Sequence, residues 1–533
     1  MSTEAQKTIS SKLWAMANEL RGNMDASEYK NYILAFMFYR YLSEHQENHM
    51  QKYELLDVED GESINEAYKR AVEEDGLEDY LEAISADLGY AIAPEDTWES
   101  LLDKIHHNKI IPSDYQTLFE HFNKNASRNQ EAQKDFQGVF NDINIGDSRL
   151  GNSTNARAKS LNNIVKLVDE IDYKDESGKD ILGEIYEELI GKFAQSAGKK
   201  GGEFYTPHEV SRILAKLVTD DVKIENQSFA VYDPTMGSGS LLLTVRNELN
   251  DKASVVKFYG QELSTTTYNL ARMNLMMHNV SYNNMTLSNA DTLESDWPDG
   301  VDADGIDHPR SFDAVVANPP YSAKWDNNSN KLKDSRFKEY GKLAPASKAD
   351  YAFILHSIYH LNATGTMAIV LPHGVLFRGA AEGTIRKTLI EKNYLDAVIG
   401  LPANLFYGTS IPTTVLVFKK NRSNSDVLFI DASKEFEKGK NQNTITDTHI
   451  EKIVETYRRR KNVEKYAHVA TLDEIIENDY NLNIPRYVDT FEEEEPIDLN
   501  QVLAELETDN KEIAKLEKTI QEQLKLLGVE ARF

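Results

Sequence analysis

The chain has 533 residues, 40% of them hydrophobic, which is enough for two or three domains with cores of ordinary composition. It contains no cysteine, so disulfides, zinc–thiolate sites and cysteine nucleophiles are excluded. Its formal net charge of -28 is the wrong sign for a protein that grips nucleic acid over its whole surface. A nucleic-acid substrate then requires a local basic surface or a partner chain that supplies the contacts. Residues 1–12 are polar and lack the apolar core of a signal peptide. No apolar run approaches the ~18 residues of a membrane helix, so the expected compartment is the cytoplasm, with no membrane partner.

Residues 6–162 read as mostly helical. Leu13, Trp14, Ala17 and Leu20 have helical spacing, and residues 24–28 suit a break and restart. The run 32–39 is apolar on every side, with Tyr32, Phe36 and Tyr39 on one face, as in a buried helix. The segment 54–99 is acidic and predicted to be solvent-exposed. From about residue 183 short β-branched runs alternate with helical segments. Strands are predicted near 229–233, 255–260, 285–287, 312–318, 366–371, 395–401 and 413–418. Continuous apolar runs such as Ala314-Val315-Val316-Ala317 predict strands buried on both faces. That pattern implies a parallel sheet covered by helices, an open doubly wound α/β fold that binds ligands outside the carboxyl ends of its strands.

Past an acidic break at residues 492–495 and Pro496, a near-heptad stripe runs through Leu499, Val502, Leu506, Ile513, Leu516, Ile520 and Leu527. Asp509 and Gln523 interrupt it. It suits a helix paired with another helix, in this chain or in a partner. The predicted domains are 1–165, helical; 166–490, the α/β domain; and 491–533, a coiled-coil-like helix.

Most of the predicted chemistry lies at strand ends. The first ends in Tyr232-Asp233-Pro234-Thr235-Met236-Gly237-Ser238-Gly239-Ser240. Two glycines one apart let a ligand press against the backbone where strand becomes helix. A dinucleotide fingerprint would place a third glycine at Leu242. Its absence disfavours NAD but not S-adenosylmethionine, which has no phosphate to cradle. Glu262, at the second strand end, can accept from both ribose hydroxyls. Asp291, after the third, can accept from the cofactor's adenine amine.

The fourth strand ends in Asn318-Pro319-Pro320-Tyr321. An aryl amine is a poor nucleophile because its lone pair is delocalised. The Asn318 side-chain oxygen and the Pro319 carbonyl can hold its two hydrogens and draw the nitrogen towards tetrahedral geometry. Pro319 and Pro320 fix the loop, and Tyr321 offers a face to a flipped base. Upstream, in Gly201-Gly202-Glu203-Phe204-Tyr205-Thr206-Pro207, Thr206 is predicted to cap the following helix, and the aromatics either cover the cofactor's methionine end or belong to the capping turn. Phe406 or Tyr407 is placed either on the second face of the base or in the core. His208 and His373 have no metal-ligand spacing, and no metal is expected.

These residues resemble the amino-methylating DNA methyltransferases in which the glycine loop precedes Asn-Pro-Pro-Tyr. More closely, the chain is similar to the modification subunit of type I restriction-modification systems. The similarity rests on Leu20-Arg21-Gly22, Glu28-Tyr29-Lys30, the stretch from Gly202 to Pro207, Asp233-Pro234 with Gly237-Ser238-Gly239-Ser240, Asn318-Pro319-Pro320-Tyr321-Ser322 and Asp479-Tyr480-Asn481-Leu482. Thr235-Met236 departs from the small residues usual in the loop. The resemblance implies a Rossmann-like sheet and methylation of adenine N6 in double-stranded DNA, with S-adenosylmethionine as cofactor. It implies two modification subunits per sequence-reading specificity subunit, and a possible restriction subunit. A glutamine amide in protein is a rival acceptor, and a non-catalytic scaffold is a rival role.

Overall fold

The computed structural model describes residues 26–173, 181–196, 205–222, 228–294, 310–407, 409–440, 442–490 and 499–528, together with Ser11 and Trp14. Helices of eight or more residues are α1 Ala26–Lys52, α2 Ile64–Asp75, α3 Leu77–Leu88, α4 Trp98–His106, α5 Pro112–Ala126, α6 Thr154–Asp169, α7 Leu182–Ser196, α8 His208–Thr219, α9 Ser240–Leu249, α10 Thr265–Met277, α11 Asp350–Tyr359, α12 Ala380–Glu391, α13 Asp447–Arg459 and α14 Leu499–Leu526. The strands are β1 Ser228–Asp233, β2 Val255–Glu262, β3 Met285–Asn289, β4 Phe312–Ala317, β5 Leu361–Pro372, β6 Leu395–Gly400, β7 Thr413–Lys419, β8 Val427–Asp431, β9 Glu437–Lys438, β10 Asn443–Thr444 and β11 Ala467–Ala470.

Nine strands form one sheet in the order β11-β8-β6-β7-β5-β4-β1-β2-β3. Alternate residues of β4 and β5 feed opposite cores, as a period of two dictates. Ala314, Val316, Ala368 and Val370 join one cluster; Val315, Ala317, Met367 and Ile369 join the other. Helix α8 packs on β4 and β5, and α11 also packs on β5. The sheet is therefore covered by helices on both faces.

The expectation of an all-parallel sheet is corrected. β7 runs antiparallel between β5 and β6, and β11 antiparallel to β8. A strand buried on both faces shows the same apolar run in either direction, so the run in β7 could not reveal its orientation. β8 and β11 were not predicted.

The apolar run of α1 is buried as expected, including Tyr32, Phe36 and Tyr39. It packs with α6 and α7 in the same core as one face of the sheet, and the Tyr41 hydroxyl donates to the Met276 carbonyl at the end of α10, at 2.8 Å. Residues 1–488 accordingly form one compact unit, and residues 489–533 a second. The segment 54–99 is not simply an exposed acidic stretch, because Leu56, Tyr68, Leu81 and Ile84 build a small core of their own beneath it. Of the first predicted helix, Trp14 is described and meets the Phe193 ring edge-on; Leu13, Ala17, Leu20, Arg21, Gly22, Met24 and Asp25 lie outside the described residues. So do Glu492, Glu495 and Pro496. Within the second unit, Leu499, Val502, Leu506, Ile513, Leu516, Ile520 and Leu527 are exposed along and just beyond α14. No helix among the described residues is long and apolar enough to cross a membrane.

Candidate active site

β1 pairs with β2 on one side and β4 on the other. The strand order thus reverses at β1, and a crevice opens beyond the carboxyl ends of the two diverging strands. Asp233 ends β1, and Asn318 follows β4 directly. The cleft there is lined by Thr206, Asp233, Thr235, Met236, Gly237, Ser238, Ser240, Leu241 and Asn318. Residues 112 positions apart in sequence, Thr206 and Asn318, are thereby in contact.

Gly237 and Gly239 both have left-handed backbones, with φ of 55° and 77°, which a Cβ would disfavour. Their loop is fastened to β2 by the Met236 amide donating to the Gln261 carbonyl at 2.9 Å. Glu262 accepts from the Gly237 amide at 3.1 Å and from the Ser264 amide at 2.8 Å. Burial raises its carboxyl, against the lowering effect of those backbone donors. Asp233 is buried and accepts from the Thr235 amide at 2.9 Å. Burial pushes its carboxyl up to about 7; the Thr235 amide works against this and Glu262 adds to it. Asp291 accepts from the Leu293 amide at 2.9 Å, closing its own turn.

A buried polar network behind the cleft ties these strand ends together. The Tyr232 hydroxyl donates to Gln261 Oε1 at 2.6 Å and meets His356 Nε2 at 2.8 Å. Arg336 donates to the Thr292 carbonyl at 2.8 Å and meets His356 Nδ1 at 3.1 Å. With the tyrosine proton used on Gln261, Nε2 must donate and Nδ1 accept. The imidazole is then neutral, consistent with burial holding its pKa well below the ordinary value. The neighbours of Asp233, Glu262 and Asp291 are thus joined through one helix, α11.

At the other end, Asn318 Nδ2 donates to the Thr206 hydroxyl at 3.0 Å. That bond occupies the amide nitrogen and fixes the side-chain oxygen on the opposite branch of the amide. This corrects the reading of Thr206 as a helix cap: Pro207 holds the cap position of α8, with no side-chain hydrogen bond. The helix begins one residue later than the capping reading needs, and the threonine hydroxyl serves Asn318 instead. Pro319 is buried and Pro320 exposed. The ring of Tyr321 is half-buried, but its hydroxyl is buried and finds no partner among the described residues; burial, and then Asp350, push its pKa far above the ordinary value. Ser322 turns the chain with φ of 55°. Its amide donates at 3.0 Å to Asp350, which is 0% exposed. Asp350 in turn pairs with Arg378, and Arg378 with Glu382. This clamp on the proline loop was not predicted.

Phe406 is 4% exposed and meets Tyr321 edge-on, at 5.9 Å and 74°. Two rings at that angle do not make a parallel slot, so the expected two-sided stack is not preformed. Tyr407 lies instead on Tyr205, at 6.0 Å, and Tyr205 is buried against Gly191 of α7. Beside Phe406 lies a recess of about 360 Å³ lined by Gln195, Asn404, Phe406, Tyr407, Thr409, Ser410 and Gln442. Gly202, Glu203 and Phe204 lie outside the described residues.

An amide held by a threonine and aimed from a clamped prolyl loop, one strand from a glycine-turned cleft, suits methyl transfer to a planar amine. The class is that of a methyltransferase with a doubly wound sheet. The N-6 DNA Methylase family model matches residues 177–496, and the HsdM N-terminal domain matches residues 9–168. The chain is 37% identical to the type I restriction enzyme MpnII methylase subunit of Mycoplasma pneumoniae, over 98% of this chain and 97% of that one. It is 29% identical to the MjaIX methylase subunit of Methanocaldococcus jannaschii, over 98% and 92%. The crystal structure of the type I restriction-modification methyltransferase subunit from Streptococcus thermophilus superposes with a TM-score of 0.81 at 45% identity, covering 91% of this chain and 100% of that one. The chain belongs to the N-6 DNA methylases, within the type I restriction enzyme methylase subunits. Its reaction is adenine-specific DNA methylation.

Proposed function

We propose that the cleft at the β1–β4 switch point holds S-adenosylmethionine and that Asn318 presents to it the N6 amine of an adenine flipped out of duplex DNA. The observation that carries this reading is the Asn318–Thr206 bond, which occupies the amide nitrogen and leaves the amide oxygen to accept from an incoming amine. The cofactor, when bound, supplies the methyl group. Asp233, Gly237, Ser238 and Gly239 form its floor, with Glu262 and Asp291 as acceptors for its hydroxyls and amine, and Thr206 lines the cleft beside Asn318. The residues fit a cation, because a buried carboxyl held near neutrality ionises when a positive group arrives. Asn318 and the Pro319 carbonyl take the two amine hydrogens, Pro320 stiffens the loop, and Tyr321 with Phe406 confines the base. Incubating the protein and its specificity partner with tritiated cofactor, offered adenine-containing duplex or glutamine-bearing protein, tests the acceptor. Label is expected in the DNA; label confined to protein contradicts the reading.

The family resemblance implies the remaining partners, and the charge of -28 agrees with DNA contacts supplied by another chain. We place the chain in a cytoplasmic complex, two copies flanking one specificity subunit that reads the DNA sequence, with room for a restriction subunit. The domains 1–165, 166–490 and 491–533 then serve as helical support, catalytic body and docking helix.

Glu262→Ala is expected to weaken cofactor binding about tenfold or more, since a charge-assisted hydrogen bond contributes ~1.5–3 kcal/mol. Calorimetric titration measures it, and an unchanged dissociation constant contradicts the assignment. Asp233 predicts a pH dependence. With its carboxyl at about 7, cofactor affinity should rise about tenfold per pH unit up to neutrality and then level off, because the carboxylate is the binding form. Asp233→Asn should flatten that profile. For the fold itself the sign is opposite. Between the unfolded value of ~3.9 and the folded value of about 7, the folded state holds the extra proton. The stability that proton contributes is therefore lost as pH rises through that window.

A further inference from the structure

We propose that residues 322–349, the excursion between the proline loop and α11, form a surface that binds the phosphate backbone of the duplex beside the flipped base. The inference rests on the DNA reading of the site and adds the place where this acidic chain itself touches DNA. The segment carries six lysines and one arginine against two aspartates and one glutamate, a net charge of +4 within a chain of -28.

The excursion is a built lobe. Its two strands of loop are closed by the Ala349 amide donating to the Ala323 carbonyl at 2.9 Å and the Trp325 amide to the Ala346 carbonyl at 3.0 Å. Trp325, Phe337 and Tyr340 anchor it in the core of one sheet face. Its acids are largely consumed locally: Asp334 pairs with Arg336, and Glu339 with Lys392 of the chain beyond α12. Of its lysines, Lys331 pairs with Glu294. Lys324, Lys333 and Lys342 are exposed and enter no ion pair among the described residues. Desolvating an unpaired lysine needs a fixed anion opposite it, and a phosphate backbone offers these in a row.

The lobe also starts and ends at the catalytic loop. Lys324 is three residues past Tyr321 in the chain. Lys348 reaches the Ser322 hydroxyl at 3.5 Å, and Asp350 holds the Ser322 amide. Any base that reaches Tyr321 brings its flanking phosphates to this rim. Contacts of this kind position the duplex without reading its sequence, which agrees with sequence reading by a partner.

The test compares the parental protein, K324Q/K333Q/K342Q and K324R/K333R/K342R, each in complex with its specificity subunit. Binding of a fluorescent duplex carrying the methylation site is followed across salt concentrations. The glutamine variant is expected to lower the slope of log affinity against log salt by about 2 to 3 per copy of the chain. Affinity at physiological salt should fall about tenfold or more, and the arginine variant should restore both. Cofactor binding by calorimetry and assembly by size-exclusion chromatography should match the parent. A parental slope in the glutamine variant overturns the proposal. So does loss of assembly with that slope intact, which would assign the lysines to an acidic protein surface. A parental complex that leaves adenine in DNA unmodified overturns the underlying DNA reading, and the surface assignment with it.

Discussion

Asn318→Ala is expected to reduce the rate of methyl transfer by about 100-fold to 1000-fold while leaving the affinity for S-adenosylmethionine within about threefold of the parent. The first magnitude is that of removing one preorganised polar group from a developing charge. In the proposed mechanism Asn318 meets the amine and that interaction strengthens as the nitrogen leaves planarity, so the loss falls on the transition state and not on ground-state binding. Most of the cleft assigned to the cofactor is formed by other residues, chiefly Asp233, the glycine loop and Ser240. The substitution also releases the Thr206 hydroxyl, which bonds Asn318 at 3.0 Å, but that hydroxyl can turn to water. A tritium-transfer assay beside calorimetry separates the two quantities. A variant that transfers methyl groups at near-parental rate removes Asn318 from the mechanism.

The second large effect concerns assembly. Deleting residues from Leu499 onward is expected to leave the unit 1–488 folded and cofactor-binding but to abolish stable association with the specificity subunit. The stripe Leu506, Ile513, Leu516 and Ile520 is exposed on α14, and an apolar stripe of that length marks an interaction surface. Each such side chain contributes ~1.5–3 kcal/mol when fully buried, so four of them amount to most of a stable interface. Size-exclusion chromatography of both chains mixed with the partner measures it. Unchanged co-elution of the truncated chain shows that docking lies elsewhere.

Much of this site was legible in the sequence because its chemistry is local. Asp233-Pro234 with the Gly237-Ser238-Gly239 turn, and Asn318-Pro319-Pro320-Tyr321, each place their functional groups within a few residues of a strand end. All seven predicted strands are present; burial on both faces leaves an apolar run in β4, β6 and β7, whereas β2 and β3 are only partly buried. What escaped is non-local or directional. Asp350 holds Ser322 across 28 residues, and Thr206 meets Asn318 across 112; no spacing rule links them. The antiparallel direction of β7 leaves no trace in composition. Thr206 was misread because a threonine before Pro207-His208 satisfies the local capping pattern, whereas the fold gives its hydroxyl a better partner. The charge of -28 obscured the basic lobe because it averages over 533 residues.

The most direct measurement is a base-resolved map of N6-methyladenine in duplex DNA exposed to the protein with cofactor, alone and in complex with its specificity subunit. The account predicts N6-methyladenine at one recurring sequence with the complex, none of it sequence-selective with the lone chain, and accumulation slowed by about 100-fold or more with Asn318→Ala in the complex. Selective methylation by the lone chain, or a full methylation pattern with the Asn318→Ala complex, would contradict it.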